Sequence, residues 1–190
     1  MTEVREQYLA AWRVFVELSD NVAAELWEAS TPCTDWTARA LIGHVVDGAH
    51  QVQAMLTGQS PLIPVQETRE LARLAGPEPA VTAHTAAAAV QEALAELPVD
   101  AEVYSPAGTL PLQQMLGMAL IEPVAHGWDL ATATGQQAAF DATTLTALLG
   151  GVQHLGGQLA ATGMYQPATR VDEQAPPLKR LMAALGRTTG

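Results

Sequence analysis

Residues 112–135 read LQQMLGMALIEPVAHGWDLATATG, and this stretch decides the fold. Leu112, Met115, Leu116, Ala119, Leu130 and Ala133 recur at steps of three and four, the spacing of one helical face, and Gly135 supplies the stop. Two residues on that face are not apolar: Glu122 and His126. Four positions apart, they stand one turn apart on the same side. A carboxylate and an imidazole turned into a core cost free energy unless something satisfies them. Pro123, between them, removes one backbone hydrogen bond and is expected to bend or locally unwind the helix.

Working outward, the other segments offer faces for this helix to pack on. Toward the N-terminus, Val4, Tyr8, Trp12, Phe15, Leu18, Val22 and Leu26 form one stripe, predicting a helix over residues 3–29 that stops before Pro32. A second helix follows, with Thr37 as N-cap, Trp36 placed to staple onto Leu41, and Gly58 as terminator. Its inward stripe is Leu41, Val45, Ala49, Val52 and Leu56. Residues 57–80 are loop-like apart from a short helix in ETRELARLA, and a third long helix spans about Ala80 to Leu97. Residues 99–110 hold a turn at SPAG between short extended pieces, too little for a sheet core. Past Gly135, Asp141 caps a fifth helix with Leu145, Leu148, Val152, Leu155 and Leu159 inward, and PLKRLMAALG closes the chain as a short helix. The expectation is an all-α, four-helix bundle with additional C-terminal helices. No linker divides it, so residues 1–190 read as one domain, with the bundle over about 3–135 and a helical extension over about 136–190.

Composition narrows the function. The 190 residues are 48% hydrophobic and 15% charged, a globular balance. A formal net charge of −11 repels phosphate backbones and anionic lipid surfaces, which argues against nucleic acid and membrane partners. No run of about 18 apolar residues is present to span a bilayer, and MTEVREQYLAAW has no apolar signal core. With a single cysteine, Cys33, no intrachain disulfide forms, and a cytoplasmic location is expected.

The second helix carries a further polar residue at its buried edge, His44, between Leu41 and Val45. Two histidines and one carboxylate are a catalytic zinc set, and three protein ligands leave a position open for water or substrate. Spacing alone does not separate this from a satisfied core histidine and a helical Glu–His pair. The blocks TPCTDWTARALIGHVV (31–46), EPVAHGWDLATATGQ (122–136) and LKRLMAALGR (178–187) add to it. Together they resemble an actinobacterial family of DinB-like metal-binding proteins, related to the metal-binding domain of mycothiol-dependent maleylpyruvate isomerase. The resemblance implies a DinB-like bundle and a zinc held by a histidine of the second helix plus an E-x-x-x-H pair. Those positions fall here on His44, Glu122 and His126. It also implies mycothiol as co-substrate. The isomerase has a larger C-terminal domain, whereas 55 residues follow Gly135 here, so its particular substrate does not carry over.

Asp129, one turn past His126, suits a role behind the ligands or in packing. Cys33 reads as a small loop residue without a base beside it, Trp128 as packing, and His84 as solvated. His50 lies about 240° around the helix from His44 and so off the ligand face; His154 flanks the stripe of the fifth helix. The leading expectation is a zinc-dependent enzyme using a low-molecular-weight thiol, mycothiol, for S-transfer, conjugation or isomerisation of a small electrophile. A metal-dependent hydrolase of small molecules and a non-enzymatic metal- or small-molecule-binding module are the alternatives. Nickel or iron would also suit the N/O ligand set, the acid/base residue is unassigned, and a homodimer is left open.

Overall fold

A computed structural model describes residues 3–60, 63–105, 108–161 and 165–189, the side chain of Leu159 aside. The chain divides into two compact units, residues 1–138 and 139–190. The first unit holds α1 (Glu3–Asp20), α2 (Ala38–Leu56), α3 (Thr68–Leu74), α4 (Pro79–Ala95), β1 (Glu102–Ser105), β2 (Gly108–Pro111), α5 (Leu112–Ala119) and α6 (Ile121–Thr134). The second holds α7 (Ala142–Leu155), α8 (Gly157–Ala161) and α9 (Pro177–Ala184). Among the described residues no helix is long and apolar enough to cross a membrane.

The bundle of the first unit is made by α1, α2, α4 and the α5–α6 pair, as the stripes foretold. Helix α1 packs against α4, α5 and α6, and α2 packs against α3, α4 and α6. Tyr8, Trp12, Phe15, Leu41, Val45, Val90, Leu94, Leu116, Val124 and Leu130 are buried between them. The predicted cap of α2 is present: Thr37 Oγ1 accepts the Ala40 N–H at 3.3 Å. Gly58 and Gly135 end α2 and α6 in the left-handed region, at φ +68° and +71°, which costs a glycine little.

Helix α1 stops at Asp20, nine residues earlier than its stripe suggested, and only a 3₁₀ turn (Ala24–Leu26) follows. The reason is local: the Ser19 hydroxyl and the Asn21 amide donate back to the Phe15 and Glu17 carbonyls, at 2.8 Å each. Such side chains compete with backbone bonds and favour an end.

The stretch 112–134 is likewise two helices, broken at Leu120. Pro123 accounts for the position of the break. Its ring clashes with the carbonyl four residues back, that of Ala119, where α5 ends. Pro123 itself occupies the first turn of α6, where a missing N–H is tolerated. The break therefore precedes Glu122 and His126 rather than separating them.

The extended pieces pair as an antiparallel two-stranded hairpin, Val103 opposite Leu110. The expected turn at SPAG falls on residues 106 and 107, outside the described residues. In the second unit, Asp141 Oδ2 accepts the Thr144 N–H at 2.9 Å, the predicted cap of α7. Leu145, Leu148, Leu149 and Val152 are buried, whereas Leu155, expected inside, is exposed. The fold is all-α apart from the hairpin.

Candidate metal centre

Three side chains converge where α2 crosses α6. His44 Nε2 lies 3.1 Å from Glu122 Oε2, and His126 Nε2 lies 3.4 Å from the same oxygen. The imidazoles meet edge to face, with ring centroids 4.9 Å apart. His126 is buried, while His44 and Glu122 each keep 29% of the side chain exposed, so the cluster is reachable from one side. All three donor atoms lie within 4.8 Å of one another. Zn–N and Zn–O bonds of about 2.0–2.2 Å put donors roughly 3.3 Å apart at a tetrahedral ion. Two of the three donor pairs, at 3.1 and 3.4 Å, have that spacing.

The electrostatics of the cluster follow from its composition. Burial works to raise the Glu122 pKa, but hydrogen bonds from His126 and His44, with their charges, outweigh it and hold the carboxyl far below its usual range. Burial works to lower the His126 pKa; hydrogen bonding to Asp129, Cys33 and Glu122 reverses this and lifts it well above 6.5. Tyr8, buried nearby, has its hydroxyl pushed up, by burial first and also by the Glu122 charge.

Asp129 stands behind His126. Its Oδ2 is 3.0 Å from His126 Nδ1, and the residue is fully buried. A carboxylate there holds a proton on Nδ1 and orients the ring so that Nε2 faces Glu122.

Two neighbours lay outside the expected site. Cys33 Sγ donates to Asp129 Oδ2 at 3.1 Å and is 3.8 Å from His126 Nδ1, so an imidazole and a carboxylate do stand beside it. Cys33, His126 and Asp129 form a second convergent set of donor atoms. Trp36, read as a staple onto Leu41, lays its ring on His44, with centroids 4.4 Å apart, and near His126 at 5.8 Å. The signal for both is TPCTDW, residues 31–36, at the start of a block that carries the family resemblance. His84 pairs with Asp20 at 2.9 Å on the surface, and His154 is exposed.

Known proteins resemble this chain in sequence and in fold. Residues 8–131 match the family described as the mycothiol maleylpyruvate isomerase N-terminal domain. Two uncharacterized proteins of Mycobacterium tuberculosis, from strains CDC 1551 / Oshkosh and ATCC 25618 / H37Rv, are each 34% identical over 178 residues, covering 92% of both chains. The fold is shared with the crystal structure of the mycothiol-dependent maleylpyruvate isomerase: TM-score 0.64 at 20% identity, over 82% of this chain and 72% of that one. A histidine-to-alanine mutant of that isomerase gives 0.65 at 19% identity, over 91% and 78%.

Proposed function

The chain belongs to the mycothiol maleylpyruvate isomerase N-terminal domain family, and from that premise we propose that it is a metal-dependent enzyme using a low-molecular-weight thiol. In this reading His44, Glu122 and His126 hold one divalent cation, zinc by preference. The observation that carries it is the convergence of two Nε2 atoms on one Glu122 oxygen at 3.1 and 3.4 Å. The reading treats the chain as one metal-binding domain, with the bundle over about 3–135 carrying the centre and 136–190 as a helical extension.

Each residue has a definite task. Asp129 keeps the proton of His126 on Nδ1, so that Nε2 presents its lone pair to the cation. Glu122 supplies negative charge where the two imidazoles are neutral. The half-exposed edges of His44 and Glu122 leave the approach to the cation on the solvent side. Zinc held by three protein ligands keeps one position for an incoming group and favours the thiolate of a bound thiol. With His44, Glu122 and His126 holding the cation, the chemistry it would supply is activation of a thiol toward a small electrophile, in S-transfer, conjugation or isomerisation. The family name supports mycothiol as the thiol.

Two measurements test the reading. Purified protein should carry close to one equivalent of divalent metal, lost in His44→Ala and His126→Ala. In the cobalt-substituted protein, mycothiol should produce a near-ultraviolet sulfur-to-cobalt charge-transfer band. Wild-type metal content in both variants would refute the ligand set. A cobalt spectrum unmoved by millimolar mycothiol would refute the thiol and favour hydrolysis or simple binding.

A further inference from the structure

The loop before α2 is built more tightly than a connection requires. Ser30 and Thr37 pair across its base, and the Ala38 N–H donates to the Ala29 carbonyl at 2.9 Å. Inside it, the Thr31 N–H and hydroxyl both donate to the Trp36 carbonyl, at 3.1 and 3.0 Å. The Cys33 N–H donates to Thr31 Oγ1 at 3.2 Å, and the Trp36 N–H donates to the Cys33 carbonyl at 3.2 Å. Asp35, in the middle, has φ +67°, the one positive value of a non-glycine among the described residues. A side chain held in that region costs about 1–3 kcal/mol and persists only where its surroundings enforce it. Strain of this kind concentrates where it fixes something.

What it fixes is on the page. Cys33 and Trp36, on either side of Asp35, reach different parts of the two histidines. The Cys33 thiol donates to the Asp129 oxygen that faces His126 Nδ1, at 3.1 Å, and Sγ rests 3.8 Å from that nitrogen. The Trp36 ring covers the face of His44 at 4.4 Å. His126 is thus gripped along its Nδ1 edge and His44 across its face, and the remaining Nε2 atoms point at Glu122. We propose that the loop of residues 30–37 is a preformed clamp for the two imidazoles. Cys33 is a positioning residue acting through Asp129, Trp36 one acting on His44, and the Asp35 turn sets the distance between them. The inference rests on the reading of His44, Glu122 and His126 as metal ligands, and it gives the loop, not only the helices, a share in the affinity of the site.

The test uses the full chain and zinc alone, with affinity measured by competition against a chromophoric chelator. Loss of a partner behind a metal-bound histidine typically weakens metal binding by about 10–100-fold, so Cys33→Ala should raise the zinc Kd roughly tenfold. Cys33→Ser, which keeps a donor, should recover most of it. Trp36→Leu should act in the same direction. Asp35→Pro touches neither contact but cannot adopt φ +67°, and should weaken binding as well; Asp35→Gly should bind as wild type. A zinc Kd within twofold of wild type in folded Cys33→Ala and Asp35→Pro would overturn the clamp. If wild type binds no zinc, the ligand reading fails first. The clamp is then read from the His126 ring nitrogen shifts of the metal-free protein, which Cys33→Ala must change; unchanged shifts overturn it.

Discussion

Helix α2 contains two glycines whose replacement by alanine should have opposite effects. A Cβ on Gly43 would sit 1.8 Å from the Leu71 carbonyl oxygen and 2.5 Å from its carbon. Both are backbone atoms of α3, so no side chain can swing aside. To reach ordinary contact at 3.4 Å, α3 must retreat by about 1.6 Å. Leu71 and Ala75, both fully buried, would lose packing in the process. Overpacking costs about 1–3 kcal/mol, and partial exposure of a leucine adds on the order of 1 kcal/mol. Against this, alanine gains about 1 kcal/mol of helix propensity over glycine. The net expectation for Gly43→Ala is a loss of about 1–3 kcal/mol, a fall in Tm of roughly 3–10 °C for a chain of this size. At Gly48, five residues along, a Cβ meets nothing within 4 Å, so only the propensity gain remains and Tm should rise by a few degrees. Thermal melts followed by circular dichroism decide it. A Gly43→Ala protein as stable as Gly48→Ala would refute the close approach of α3 to the helix that carries His44.

Other expectations concern pH and capping. In metal-free protein, the lowered Glu122 carboxyl contributes stability that is present above its unfolded value near 4.5 and lost as pH falls through and below it. The raised His126 contributes stability present below 6.5 and lost as pH climbs through its folded value. Both contributions are complete between about pH 4.5 and 6.5, and Tm of the metal-free form should peak there. Under the proposed ligand set zinc must displace the His126 proton, so affinity should strengthen as pH rises toward the raised folded value of that imidazole; a titration flat in pH would contradict it. Asp141→Ala removes the side-chain bond to the Thr144 N–H and should lower the stability of α7, read by urea unfolding.

The bundle was legible because its helices announce themselves locally. Thr37 and Asp141 are caps whose oxygens lie where the sequence puts them, and the stripes through Tyr8, Leu41 and Leu116 are buried as their period demands. Glu122 and His126 were legible as polar breaches in such a stripe. Their meeting with His44 was not, since periodicity assigns faces but does not say which faces meet; the family resemblance supplied that step. Cys33 and Trp36 were hidden for a similar reason. A loop has no period, and the direction of its side chains hangs on one left-handed residue, Asp35, that no pattern predicts. The end of α1 at Asp20 turned on hydrogen bonds from Ser19 and Asn21, which outweighed an apolar stripe that ran on past them.

The two arms of the cluster come from distant parts of the chain: 78 residues separate His44 from Glu122 in sequence. An unfolded chain brings such distant points together only at a large entropic cost, and a helix forms far sooner than a contact of that span. Isolated α6 can offer a cation the Glu122–His126 pair at most, and isolated α2 a lone imidazole. A cation therefore gains its full set of donors only after the bundle has closed, and it cannot template the closing. A cation held as proposed would act as a latch on finished topology: at a free concentration 100 times its Kd, a ligand that recognises only the folded chain adds about 2.7 kcal/mol against reopening. Under the proposed ligand set, metal loading would report that the chain has folded.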